Sequence, residues 1–231
     1  MKLLAFETAT EGCSVALWLD GDVHERFELA PRRHAELSLP WASELLAQAG
    51  IAKSQLDAIA VGRGPGAFTG VRLAIAIGQG IALALDRPIV PVSTLAALAM
   101  QAPGPHVVAA IDARMNEVYS GAFALRDGDA LSLGAEAVSA PDMVRLPPEV
   151  DHWHGIGTGF SACAGALRDT SPQRWLSIDA GALPRAGDVA RLAVRAFARG
   201  EAVAPERVEP AYLRNQVALT LAQQQQLRAS R

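Results

Sequence analysis

Short apolar blocks separated by turn residues fill the first thirty positions. Lys2–Thr8 and Cys13–Leu19 are apolar runs joined by a turn at Ala9–Gly12, and Val23–Leu29 alternates after an Asp20-Gly21 hairpin signal. This predicts three consecutive antiparallel strands. The period then lengthens. Leu37, Trp41, Leu45 and Leu46 recur at helical spacing across 33–50, with Pro40 expected to kink or interrupt the helix and Gly50 to end it. Leu56–Val61 is a β-capable run, Gly62–Gly66 a glycine–proline turn and Ala67–Asp86 a long helical pattern. That stretch reads as strand, tight loop, helix. Pro88–Val92 follows as a strand, and Ser93 as the N-cap of a helix over Thr94–Gln101. The first hundred residues therefore read βββαβαβα.

Ala102-Pro103-Gly104-Pro105 is the best boundary, and beyond it the pattern partly repeats. Strands are expected at His106–Asp112, Glu117–Leu125, Leu131–Val138, His152–Ile156 and Arg174–Ile178. Gly157-Thr158-Gly159 leads into a helix over Phe160–Arg168, and a last helix covers Asp188–Arg199 before Gly200. Pro210–Arg214 reads as extended. Two halves of similar element order suggest a duplication, resting on order alone because no residue-level repeat is visible. The expected organisation is an α/β chain with one lobe over 1–104 and another over 105–215, whose last helix packs back on the first lobe. The glutamine-rich tail, 216–231, is expected to be disordered or a frayed helix.

The helix 67–86 carries two stripes of small residues: Gly70, Ala74 and Gly78 on one face, Ala76, Gly80 and Ala84 on another. Glycine inside a helix costs about 1 kcal/mol relative to alanine, so three of them imply compensating packing. One reading is a buried core helix. The other gives one stripe to the chain's own sheet and the second to a partner's helix.

Composition changes this picture little. The 231 residues are half hydrophobic with a net charge of −3, an ordinary globular balance that is too weakly basic to bind nucleic acid by charge alone. No apolar run reaches 18 residues without interruption, and Glu7 and Glu11 break the N-terminal one, so neither a membrane span nor a signal peptide is expected. Cys13 and Cys163 lie far apart without metal spacing and read as reduced cytoplasmic cysteines.

Candidate chemistry is sparse. Gly62-Arg63-Gly64-Pro65-Gly66-Ala67 satisfies G-x-G-x-x-A between strand and helix, the dinucleotide pattern. Against it, Pro65 lacks an N–H, the next strand ends in Val92-Ser93-Thr94 with no acid for a ribose, and three strands precede the motif. Glu7-Thr8-Ala9-Thr10 places an acid and two hydroxyls in the first β-turn-β, which could hold a phosphate or a Mg²⁺ water or simply bond its own backbone. Asp112 and Arg114 open the second half at the equivalent hairpin, either to bind a ligand or to pair with each other. His152 and His154 share a strand face, but no third ligand is placed to complete a metal site. His34 is followed four residues on by Ser38, so no H-x-x-x-H pair exists there. Neither G-x-S-x-G nor a Ser/His/Asp order stands out, and Ser161 reads as a helix-start residue. The residues alone lead to a two-lobed α/β protein with candidate phosphate-binding turns and no visible catalytic group.

Several stretches together carry a resemblance. ETATEGCSVALW at 7–18, GRGPGAFTGVRLAIAIGQGIAL at 62–83, PVSTL at 91–95, AAIDARMNEVY at 109–119, GIGTGF at 155–160 and EPAYLRN at 209–215 resemble the bacterial TsaB family, formerly glycoprotease-like or YeaZ, in order over nearly the whole chain. The resemblance implies the actin/Hsp70-like ATPase fold, two duplicated RNase H-like lobes with mixed sheets. It implies a noncatalytic scaffold subunit that binds and activates the catalytic paralogue TsaD for N6-threonylcarbamoyladenosine formation at position 37 of ANN-decoding tRNAs. The ATPase TsaE joins the pair, tRNA is met only through the complex, and the isolated chain forms a homodimer in the cytoplasm. No cofactor is implied on this chain alone, and ATP or ADP at the partner interface is left open. Family members pair through their first two helices. Periodicity assigns that face here to Leu37, Trp41 and Leu45 with Arg72, Ile75, Ala76 and Gln79. Glu7 stands where the family commonly has aspartate, which makes Mg-nucleotide hydrolysis by this chain less expected still. The rival readings are an independent ATP-dependent phosphotransferase, a peptidase, and a homodimeric interaction module.

Overall fold

The computed structural model describes residues 1–214, so the expectation for the glutamine-rich tail lies outside the described residues. Two mixed sheets form the frame. In the first, β1 (Lys2–Glu7), β2 (Gly12–Leu19) and β3 (Asp22–Leu29) form an antiparallel meander. β4 (Ala58–Gly62) and β5 (Ile89–Val92) join in parallel on the other side of β1, giving the order β3-β2-β1-β4-β5. The second sheet repeats this plan. β6 (His106–Arg114), β7 (Glu117–Arg126) and β8 (Asp129–Ser132) are the meander, and β10 (Trp153–Ile156) and β11 (Trp175–Asp179) the parallel pair, in the order β8-β7-β6-β10-β11. β9 (Ala137–Ser139) pairs with β7 beyond β8.

Period-2 alternation assigns each strand two cores. Leu4, Phe6, Val15, Leu17, Ile59 and Val61 face α1 (His34–Gln48) and α2 (Phe68–Leu85). Their neighbours Leu3, Ala5, Ala16, Ala58 and Ala60 face α3 (Thr94–Ala99), α5 (Ala186–Ala198) and the apolar side of β6. The central core therefore lies between the two sheets, with α3 and α5 inside it. A third cluster around Trp153 and Phe160 covers the far face of the second sheet.

α5 reaches the first sheet although it follows the second in sequence, packing against β1, β2, β4 and β5. Its start is fixed by that sheet. Ser14 Oγ accepts from Ala186 N at 2.9 Å and the Glu25 carboxylate from Gly187 N at 2.8 Å, so two of the helix's orphan N–H donors find partners on β2 and β3. This extends the helix two residues before the expected start at Asp188. Burial raises the Asp188 carboxyl to about 6, against the lowering effect of Arg191 2.9 Å away.

Three expectations differ from the structure. Pro40 does not interrupt α1 but lies inside it, on its exposed side, where the donor that proline lacks is removed from the solvent face rather than from the core. The strand expected over Leu131–Val138 is two strands, β8 and β9, separated by a turn around Gly134. The helix expected over Phe160–Arg168 is mostly tight turns. Cys163, Ala164 and Gly165 have φ of 51°, 55° and 83°, and right-handed helix does not propagate through left-handed residues. Only α4 (Ala166–Asp169) remains helical.

Candidate functional site

The first β-turn-β is closed on itself. Glu7 is completely buried at the end of β1. One of its carboxylate oxygens accepts from Ala9 N at 2.7 Å and the other from the Thr94 hydroxyl at 2.8 Å. Burial drives its pKa from 4.5 to about 7, against the lowering effect of these hydrogen bonds. Gly62 is required beside it, because a Cβ there would lie 1.9 Å from Oε2. Thr8 donates its hydroxyl to the Gly70 carbonyl at 2.7 Å, joining the turn to the start of α2. Gly70 Cα approaches so closely that a Cβ would sit 2.0 Å from the Thr8 oxygen. Thr10 Oγ1 accepts from Gly12 N, and His34 Nε2, 2.9 Å from the Thr10 carbonyl, must donate its proton there. The acid and the Thr8 hydroxyl are thus engaged by the turn and by the starts of α2 and α3, and of the three candidates Thr10 alone reaches the cleft.

The corresponding hairpin of the second sheet behaves alike. Asp112 accepts from the Arg114 backbone N–H at 2.8 Å and from its guanidinium at 2.7 Å. The Thr158 hydroxyl, at the Gly157–Gly159 turn, accepts from Asp112 N at 3.2 Å. Gly157, with φ of +104°, lies against β6, where a Cβ would sit 2.3 Å from the Ala110 carbonyl.

Between the two hairpins lies a cleft of about 840 Å³ that brings Thr10, Asp112 and Arg114 to one space, whereas Glu7 and Thr8 are buried and do not line it. Its rim holds Phe68, Met115 and Tyr212, large apolar residues that are 64%, 78% and 58% exposed. The sequence reading assigned no role to these three. Met115 lies in a hairpin tip and Tyr212 in a segment without regular structure, so no apolar period points to either.

The helix face is divided. The Gly70/Ala74/Gly78 stripe packs on the chain's own sheet, where a Cβ at Gly78 would meet Val61 Cγ1 at 2.4 Å. The second stripe faces outward: Ala76, Gly80 and Ala84 are exposed, and nothing lies within 4 Å of a Cβ at Gly80. Leu83 beside them is 63% exposed. α2 is by length and composition apolar enough to cross a membrane, yet only Val71, Ala74, Ile75, Gly78 and Ala82 of it are buried within the chain. Of the other residues assigned to the pairing face, Leu45 and Ile75 are buried in the chain's own core, and Leu37 and Trp41 are half-buried. Gln79 donates to the Pro205 carbonyl and Arg72 to the Tyr212 hydroxyl.

His152 and His154 do not form a site together. His154 Nδ1 is 2.7 Å from the Ser177 hydroxyl and its ring packs on Gly104, while His152 is exposed just before β10. Ser38 is buried and donates to the His34 carbonyl at 2.7 Å, and Ser161 donates to the Thr158 carbonyl.

Comparison with known proteins agrees with this architecture. Residues 23–154 match the family model described as TsaD, tRNA N6-adenosine threonylcarbamoyltransferase. The tRNA threonylcarbamoyladenosine biosynthesis protein TsaB of Escherichia coli is 43% identical over 94% of this chain and 96% of its own length. The protein of the same name from Haemophilus influenzae is 38% identical over 94% and 95%. The solved structure of YeaZ from Pseudomonas aeruginosa superimposes with a TM-score of 0.85 at 47% identity, covering 92% of this chain and 99% of that one. With its paired mixed sheets and covering helices, the chain has the α/β actin-like ATPase fold and belongs to the TsaB (YeaZ) family.

Proposed function

We propose that this chain is a noncatalytic subunit of the tRNA threonylcarbamoyltransferase complex, which binds and activates a catalytic TsaD-type paralogue through the outward face of α2 and the adjoining side of α1. The observation that carries the reading is the Ala76/Gly80/Ala84 stripe with Leu83, an apolar surface smooth enough for another helix to approach closely. Exposed apolar surface of this kind on a soluble chain marks an interaction site. Leu39 on α1 is half-exposed and adds to the same apolar character. The match to the TsaD family model supports a partner of the same fold, and two related faces can substitute for each other, so the isolated chain pairs with itself. Glu7 and Thr8 are engaged by their own turn and by the starts of α3 and α2, Asp112 is paired with Arg114, and Ser38 stands four residues after His34 where an H-x-x-x-H pair would need histidine, which favours a supporting rather than a catalytic role. TsaE, tRNA and any interface nucleotide are met through the complex.

The test is size-exclusion chromatography with light scattering on the chain mixed with its TsaD paralogue, beside Ala76→Arg. Wild type forms the heterodimer; Ala76→Arg keeps its melting temperature and remains apart. Equal pairing by both would place the interface elsewhere. No pairing by wild type would defeat the scaffold reading and turn attention to ATP turnover by the chain alone.

A further inference from the structure

Residues 203–214 run across the molecule as a strap. Val203 exchanges backbone hydrogen bonds of 2.8 and 2.9 Å with Ile89 of β5. The Pro205 carbonyl accepts from Gln79 of α2 at 2.8 Å, and Ala211 N donates to the Arg63 carbonyl at 2.8 Å. The next attachments are of another kind. The Arg72 guanidinium, in the first turns of α2, stacks 3.2 Å from the Phe68 ring centroid and 5.0 Å from that of Tyr212, and donates to the Tyr212 hydroxyl. Two residues further on, Arg214 donates to the Ala113 carbonyl at 3.1 Å, to the Glu117 carboxylate and, at 3.4 Å, to Met115 Sδ. All three partners belong to the β6–β7 hairpin, on the other side of the cleft.

That hairpin tip is strained. Arg114, Met115 and Asn116 have φ of 61°, 56° and 60°, three consecutive left-handed residues with side chains, a conformation that persists only where surrounding contacts hold it. Asp112 and Arg214 supply such contacts. Tyr212 and Arg214 are two residues apart, a span of at most roughly 7 Å of chain, so a large displacement of one attachment is passed to the other.

We propose that Tyr212 and Arg214 are positioning residues that couple the start of α2 to the β6–β7 hairpin across the cleft. A change at either end of the strap is felt at the other. A partner seated on α2 and a molecule entering the cleft would therefore influence each other, and by linkage the influence runs equally both ways.

Hydrogen exchange read by mass spectrometry on the full chain alone tests this, without reference to what α2 binds. Tyr212→Ala releases the α2 end and leaves every Arg214 contact available; Arg214→Ala does the reverse. Either substitution is expected to speed exchange several-fold in both the 66–75 and the 110–119 peptides, with α5 unchanged. Tyr212→Phe, which removes only a hydroxyl and keeps the ring, gives a smaller acceleration at both ends. Acceleration confined to each substitution's own end would overturn the coupling. So would no change at either end, or a uniform rise that includes α5, which would make the strap a general contributor to stability.

Discussion

Replacing Glu7 by glutamine isolates the effect of one buried carboxylate. Its pKa is about 7 in the folded chain against an ordinary 4.5, so the unfolded chain releases the proton first. A raised acid pKa means stability that is complete below about 4.5 and is lost as pH climbs through 7. A rise from 4.5 to about 7 corresponds to about 3 kcal/mol once both states are ionised. Of this, about 1 kcal/mol is already lost at pH 5 and nearly all by pH 9, a fall of roughly 2–3 kcal/mol between them. Glutamine keeps a carbonyl for Ala9 N and an amide that the Thr94 hydroxyl can accept from, but it carries no charge to desolvate. Urea unfolding of wild type and Glu7→Gln at pH 5 and pH 9 should therefore show the variant gaining roughly 2–3 kcal/mol on wild type across that range. Asp188, also raised, titrates in both proteins and cancels in the difference. A stability difference that stays constant between pH 5 and pH 9 would refute the reasoning, since the burial of Glu7 would then carry no charge penalty.

Other outcomes follow from the two faces of α2 and from the core. Gly78→Ala forces a methyl against Val61 Cγ1 and should destabilise by about 1–3 kcal/mol, whereas Gly80→Ala enters open space and should stabilise by roughly 0.5–1 kcal/mol; thermal melts compare the pair directly. Ser14→Ala leaves Ala186 N without its acceptor and should cost about 1–2 kcal/mol in chemical denaturation, with exchange rising at the start of α5. Trp153→Ala empties the centre of the outer cluster, where the ring is fully buried, and should cost about 3–5 kcal/mol in the same assay.

Most of the frame was legible because each strand of the first sheet and both long helices carry a sustained period. The apolar run Leu3–Phe6 bounded by a turn reads as a strand, and the proline-free apolar stretch 67–86 reads as a helix, whichever partner its faces meet. Failures fell where local chemistry overrides periodicity. Nothing in Ser161-Ala162-Cys163-Ala164 announces left-handed backbone, so the sequence reads as helix. The start of α5 depends on Ser14 and Glu25, more than 160 residues away, and no local window contains them. The outward stripe of α2 is legible in its small residues, because Ala76, Gly80 and Ala84 repeat every four positions. The large residues are not legible in the same way: on the nearly all-apolar α2, period alone does not tell which side meets the sheet, and on α1 the stripe of Leu37, Trp41 and Leu45 is the helix's own core side, so Leu45 and Ile75 lie inside. The cleft rim was invisible because Met115 and Tyr212 are brought to Phe68 only by tertiary structure.

The position of α5 has a consequence for how the chain is made. The inner face of the first sheet, Leu3, Ala5, Ala16, Ala58 and Ala60, is covered by a helix that ends at Ala198. During synthesis at about 5–20 residues per second, that face waits on the order of ten seconds after β5 has emerged. Throughout that interval the nascent chain displays an apolar sheet that α3 and β6 cover only in part, and transiently exposed apolar surface of this kind is prone to aggregate. A fragment ending at Gly104, although it contains every strand of the first sheet, would therefore collect in inclusion bodies, and adding residues 180–200 in trans should bring part of it back into solution.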